Sequence, residues 1–157
     1  MIASRKEILI AFAAALLLCG TAIAQEHPEH PTGKAPAKGA HTYTMDELEK
    51  AIKGQIIATQ DKNGGKYPMK DDKENKTWSM VLDHVHRERL SRLDAKTYFA
   101  CTDFKSDDGH VVDVDFFMKD DGEKLAMADA TIHKVDGKAR YDWKEKGGYW
   151  VRVPAGK

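Results

Sequence analysis

The chain has 157 residues, 25 basic and 25 acidic side chains, a formal net charge of zero and 41% apolar residues. Balanced charge excludes a nucleic-acid binder or a protein held to membranes by basic patches. Two cysteines exclude a disulfide-stapled scaffold, and the length fits one domain with a core of its own.

In chain order, Arg5 and Lys6 precede a twelve-residue apolar run, Ile8 to Cys19, and Ala22-Ile23-Ala24 offers a small-x-small cleavage site. That is the pattern of an export signal, and the run is shorter than the roughly 20 residues that span a bilayer. Leu18 stands where a lipoprotein signal wants a small residue before Cys19. Residues 1–24 are therefore expected to be cut off on export to a periplasm or to the outside, leaving no membrane segment. Removing them from 157 leaves 133 residues with one cysteine, Cys101. That thiol lies within "TYFACTDF" and reads as buried on an inner strand. Residues 25–42, built from Pro, Gly, His and Ala, lack the apolar bulk to order themselves and read as a flexible tail.

The folded domain is expected over 43–157. Thr44 and Glu47 form a capping box with Tyr43 and Leu48 as its hydrophobic staple. Met45, Leu48, Ile52 and Ile56 share one arc at 100° per residue, and Asn63-Gly64-Gly65 stops a helix of about 18 residues. "KDDKENK" (70–76) reads as a solvated loop. The period then changes to two: Trp78, Met80 and Leu82 alternate with polar neighbours, followed by strands at 97–104, 110–118 and 125–133. Asp107-Asp108-Gly109, Asp120-Asp121-Gly122 and Asp136-Gly137 mark the hairpins, and "ARYDW" and "YWVRV" follow. Segment 83–93 fits a helix nearly as well as a strand; pairing with 97–104 favours the strand. The expected fold is α+β, an N-terminal amphipathic helix on a curved antiparallel sheet of four to five strands. Val112, Val114, Phe116 and Met118 should face the helix, and His110, Asp113, Asp115 and Phe117 should face water.

This element order resembles the cystatin-like architecture. The phrase "TYFACTDFKSDDGHVVDVDFF" (97–117) is similar to stretches of small exported bacterial proteins without an assigned activity. Cystatins that inhibit proteases insert a Gln-x-Val-x-Gly loop into their targets. This chain has no such loop, so the resemblance implies the fold and not the inhibition.

Four groups could carry chemistry. Cleavage after Ala24 would give a free amine, two backbone amides and the His27 imidazole, four nitrogens across Gln25, Glu26 and His27 that suit square-planar Cu(II) or Ni(II). His30 could add an axial ligand, whereas cyclisation of Gln25 would remove the amine. In "DHVHRE", His84 and His86 on a strand would point the same way about 7 Å apart. A third ligand from Asp103, His110, Asp113 or Asp115 would complete a zinc or copper site. Asp113 and Asp115 could do acid–base work or form a binding surface. Tyr141, Trp143, Tyr149 and Trp150 could form an exposed aromatic end for a partner, Tyr149 and Trp150 at its tip; alternatively, the final hairpin packs these rings over the sheet end. No nucleophile elbow, phosphate loop, Cys-x-x-Cys or His-Glu-x-x-His motif occurs. The chain therefore reads as a non-catalytic exported binding module for a protein or small ligand, monomeric or weakly dimeric. The second reading is a periplasmic Cu(II) or Ni(II) binder.

Overall fold

Helix α1 runs from Met45 to Lys62 and starts where the capping box requires. The Thr44 side chain accepts from the Glu47 amide, and the Glu47 carboxylate accepts from the Thr44 amide at 2.7 Å. Asp46 and Glu47 in the first turn and Lys62 in the last suit the helix dipole. Leu48, Ile52 and Ile56 form the buried stripe. Met45, expected on the same arc, is 45% exposed; Tyr43 covers the sheet there instead, edge-on to Tyr98 at 5.4 Å. The computed structural model describes residues 42–146 and 149–156. The export signal and the tail up to residue 41 lie outside the described residues.

Among the described residues nine strands follow: β1 (Tyr67–Asp71), β2 (Lys76–Val85), β3 (Ser91–Arg92), β4 (Thr97–Ser106), β5 (Val111–Asp120), β6 (Leu125–Val135), β7 (Lys138–Ala139), β8 (Tyr141–Lys146) and β9 (Tyr149–Pro154). The first seven form one antiparallel sheet in the order β1-β2-β4-β5-β6-β7, with β3 also on β4, and β8–β9 form a separate hairpin. The helix-on-antiparallel-sheet expectation holds, but the main sheet has more strands than the four or five expected. β1 escapes notice because Pro68 and a charged run disguise an edge strand, the one place a sheet tolerates proline. The 83–93 segment is strand only to Val85; a 3₁₀ turn, Arg87–Arg89, then leads to the two residues of β3 that pair with β4.

The sheet curls strongly, into a half-barrel. Its edge strands approach across the opening: the Tyr67 hydroxyl on β1 reaches Met127 Sδ on β6 at 3.6 Å. The helix lies on the concave side. Gln55 ties it to β6, donating to the Leu125 carbonyl at 2.8 Å and accepting from the Met127 amide at 2.7 Å. Val112, Val114, Phe116 and Met118 pack there with Leu48, Ile52, Ile56, Trp78, Met80 and Phe104, as the alternation requires. No helix among the described residues is long and apolar enough to cross a membrane.

Asp71, read as part of a solvated loop, is 2% exposed. Its two oxygens take both arms of the Arg140 guanidinium at 2.6 Å, and it also accepts from Trp78 Nε1 at 2.8 Å and the Lys73 and Glu74 amides. Arg140 lies just past β7, at the opposite edge of the sheet, so this pair joins the two edges that curling brings together. The Arg140 hydrogen bonds, followed by Trp78 and the turn amides, outweigh burial and hold the Asp71 carboxyl well below its ordinary 3.8. A depressed pKa contributes stability that is present above the ordinary value and lost as pH falls toward the folded one. Arg140→Met, which strands the buried carboxylate, is expected to cost roughly 3 kcal/mol in urea unfolding at neutral pH. Because that contribution is already missing, its stability should fall less than that of the wild type between about pH 4 and pH 2.

Candidate metal-binding face

The convex face of the sheet carries Phe99, Cys101 and Asp103 on β4, opposite Phe117, Asp115 and Asp113 on β5. Half of this face is covered. The β8–β9 hairpin lays Tyr141 and Trp143 against Phe99, Cys101, Leu93 and Phe117 as a second hydrophobic cluster. Arg152 on β9 stacks over Phe117, Tyr141 and Trp143 at 4.7, 5.3 and 5.6 Å. It also reaches Thr131 Oγ1 at 2.9 Å and Asp129 Oδ2 at 3.3 Å, latching the hairpin to β6. Packing of the final hairpin on the sheet, the alternative to an exposed aromatic end, is what Tyr141 and Trp143 show.

Asp115, expected on a wet face, is therefore 0% exposed. Its Oδ2 accepts from the Tyr141 hydroxyl at 2.6 Å and from Trp143 Nε1 at 3.2 Å, with His133 Nδ1 at 3.7 Å. Burial pushes its carboxyl up, and His133, Tyr141 and Trp143 oppose the shift. His133 reaches this spot through a bulge in β6: Asp113 pairs with Lys134 and Val114 with Ile132, which leaves His133 as the extra residue. Its ring stacks on Tyr141 at 4.7 Å, and its Nε2 is 3.2 Å from the Tyr141 carbonyl. Cys101, the register partner of Asp115, is fully buried as expected. Burial, with Asp115 and Asp113 adding, pushes its thiol far above the ordinary range. One ligand-type atom from each of Cys101, Asp115 and His133 falls within 4.8 Å of the others.

The uncovered half begins one row along. A bulge in β2 separates the pair Leu82–Phe104 from the pair His84–Asp103. Leu82 and Val85 both join the core, so His84 and His86 turn outward together, ring centroids 5.0 Å apart. His86 Nε2 faces Asp103 Oδ1 at 2.9 Å and its Nδ1 faces Glu88 Oε1 at 3.2 Å. Donor atoms of His84, His86 and Glu88 lie within 4.8 Å of one another. The Glu88 carboxyl is held below its usual range by its own backbone amide and by His86, against the opposing effect of burial. Arg89 Nε stands 3.7 Å from the same Glu88 oxygen. Asp113, half-buried opposite Asp103, is pushed up by burial and by that like charge.

His84 and His86 point the same way, as expected of them, and the third donor atom beside them belongs to Glu88, which the sequence reading did not name. Asp103 holds the His86 ring; Asp113 sits beside it. His110 turns away to Asp136 at 2.6 Å, and Asp115 belongs to the buried cluster and cannot serve a partner surface. Tyr149 and Trp150 open β9 in register with Lys146 and Glu145; the partner surface expected of their side chains lies outside the described residues. So do Gln25, Glu26, His27 and His30. Against known proteins, the chain matches no family model, no curated sequence and no solved structure.

Tyr141→Phe removes one of two strong donors from a fully buried carboxylate. We expect a loss of about 2 kcal/mol, read as a lower urea midpoint at unchanged m-value, with faster alkylation of Cys101.

Proposed function

We propose that the protein is a non-catalytic exported binding protein whose ligand is a divalent transition-metal ion, held on the open half of the convex face by His84, His86 and Glu88. The observation that carries this reading is the convergence of two imidazoles and a carboxylate at ligand distance on an accessible rim. Asp103 strengthens it. Both ring nitrogens of His86 face carboxylates, and with a metal ion bound on the Glu88 side Nδ1 would give up its proton to become the ligand while Nε2 keeps its own toward Asp103. That is the outer-sphere contact which orients ligating histidines and raises their basicity. Two nitrogens and one oxygen suit zinc, nickel or copper(II) and leave a coordination position open. The export signal expected in residues 1–24 agrees with scavenging or delivery outside the cytoplasm. Binding rather than catalysis is supported by the sealing of Cys101 and Asp115, the groups best suited to nucleophilic or acid–base work, away from any substrate.

The test is copper(II) equilibrium dialysis of a His27→Ala chain, which silences the amino-terminal nitrogen site. The chain is expected to retain copper, and adding His84→Ala and His86→Ala should weaken retention at least tenfold while the circular dichroism stays unchanged. Copper binding that vanishes with His27→Ala alone would assign the ion to the amino terminus and overturn the rim. Unchanged affinity in the triple variant would overturn it equally.

A further inference from the structure

We infer that Cys101, Asp115 and His133 form a second, buried site for a zinc-type divalent cation, closed by the β8–β9 hairpin. It shares no residue with the rim and does not depend on it. The three ligands come from adjacent strands β4, β5 and β6, and each is at most 1% exposed.

The orientation of each ligand is fixed from outside. A carbonyl only accepts, so the Tyr141 carbonyl at 3.2 Å sets the proton of His133 on Nε2. In the neutral ring Nδ1 is then the basic nitrogen, and it lies on the Asp115 side. A backbone carbonyl on the far nitrogen is how ligating histidines are aimed. Asp115 Oδ2 is fixed by Tyr141 and Trp143, whereas Oδ1, sealed from water, receives no N–H or O–H donor among the described residues. The Cys101 thiol, a weak donor, acts on the same carboxylate. A buried carboxylate oxygen without a strong donor is costly, and an apolar side chain would fill a core position without that cost.

Charge arithmetic favours a divalent ion. A thiolate, a carboxylate and a neutral imidazole carry two negative charges, which a 2+ ion cancels, and a neutral assembly is what full burial demands. Thiolate, imidazole and carboxylate together fit zinc. On binding, the Cys101 S–H bond breaks, its proton leaves to solvent, and the sulfur electron pair forms the bond to the metal. Entry requires the hairpin to lift. Its backbone ladder joins β8 only to β9, so side-chain contacts rather than a strand ladder hold it down.

Cobalt(II) reports a thiolate ligand through a near-ultraviolet charge-transfer band, which oxygen and nitrogen ligands do not give. In a Cys19→Ser background Cys101 is the sole thiol. This chain, purified with chelator, briefly exposed to mild urea and returned to buffer with cobalt(II), is expected to show the band at one ion per chain. Zinc should displace it, and the thermal midpoint should rise with the metal. The band should persist in His84→Ala/His86→Ala and disappear in Cys101→Ser. Should Cys101→Ser fail to fold, His133→Gln, which keeps the thiol, is expected to weaken cobalt binding at least tenfold. A refolded parent chain with no band, or a band indifferent to His133→Gln, would overturn the proposal and leave the cluster as a polar layer that holds the hairpin. Loss of copper from the rim variants with the cobalt band intact would separate the two sites.

Discussion

Asp115 Oδ2 is the atom on which the two-sided burial of this sheet turns. A carboxylate in the middle of β5 forbids a second apolar layer unless donors arrive with it, since an uncompensated buried charge costs several kcal/mol. Tyr141 and Trp143, two residues apart on β8, bring a hydroxyl and an indole N–H to that oxygen. Their rings meanwhile cover Phe99, Cys101 and Phe117. The hairpin thus sits where it does because of one polar contact set inside an aromatic cluster.

The convex face is consequently graded along its strands. At the row of Cys101 and Asp115 it is sealed; at the next row, Asp103 and Asp113, it opens; and at His84, His86 and Glu88 it is wet. The concave face is held differently, by the helix stripe and by Asp71 with Arg140, which pins together edges that lie five strands apart in the ladder. Without that closure the chain between β7 and β8 would lose its anchor, and the hairpin would lose its starting point.

Most of the frame was legible in the residues. Thr44 and Glu47 mark the helix start because both side chains are committed to backbone amides. The Asp-Gly turns mark hairpins because Gly109, Gly122 and Gly137 hold φ of 88°, 98° and 74°, where a side chain is strained. The alternation along β5 named the inner face correctly. Three things were not legible, each for a physical reason. Alternating aspartates look the same whether water or a tyrosine hydroxyl satisfies them, so the second layer over Asp115 was hidden. Asp71 was concealed in a charged run because its partner is 69 residues away. Bulges leave no mark in a periodic pattern, so His133 could not be assigned to a face, and Glu88 lies in a 3₁₀ turn where strand alternation does not apply.

The bulge in β2 has a larger consequence than its single residue suggests. Strand side chains alternate, so which side a residue occupies is a matter of odd and even counting from the last paired position. Between Leu82, which is inside, and His84, which is outside, the count is broken once. Strict alternation through Asp83, with no bulge, would turn both histidines toward the core and expose Val85, without altering a single ligand. The rim is encoded as a parity, and a relative of this chain with both histidines in place but a regular strand through Leu82, Asp83 and His84 would carry the letters of the site without the site.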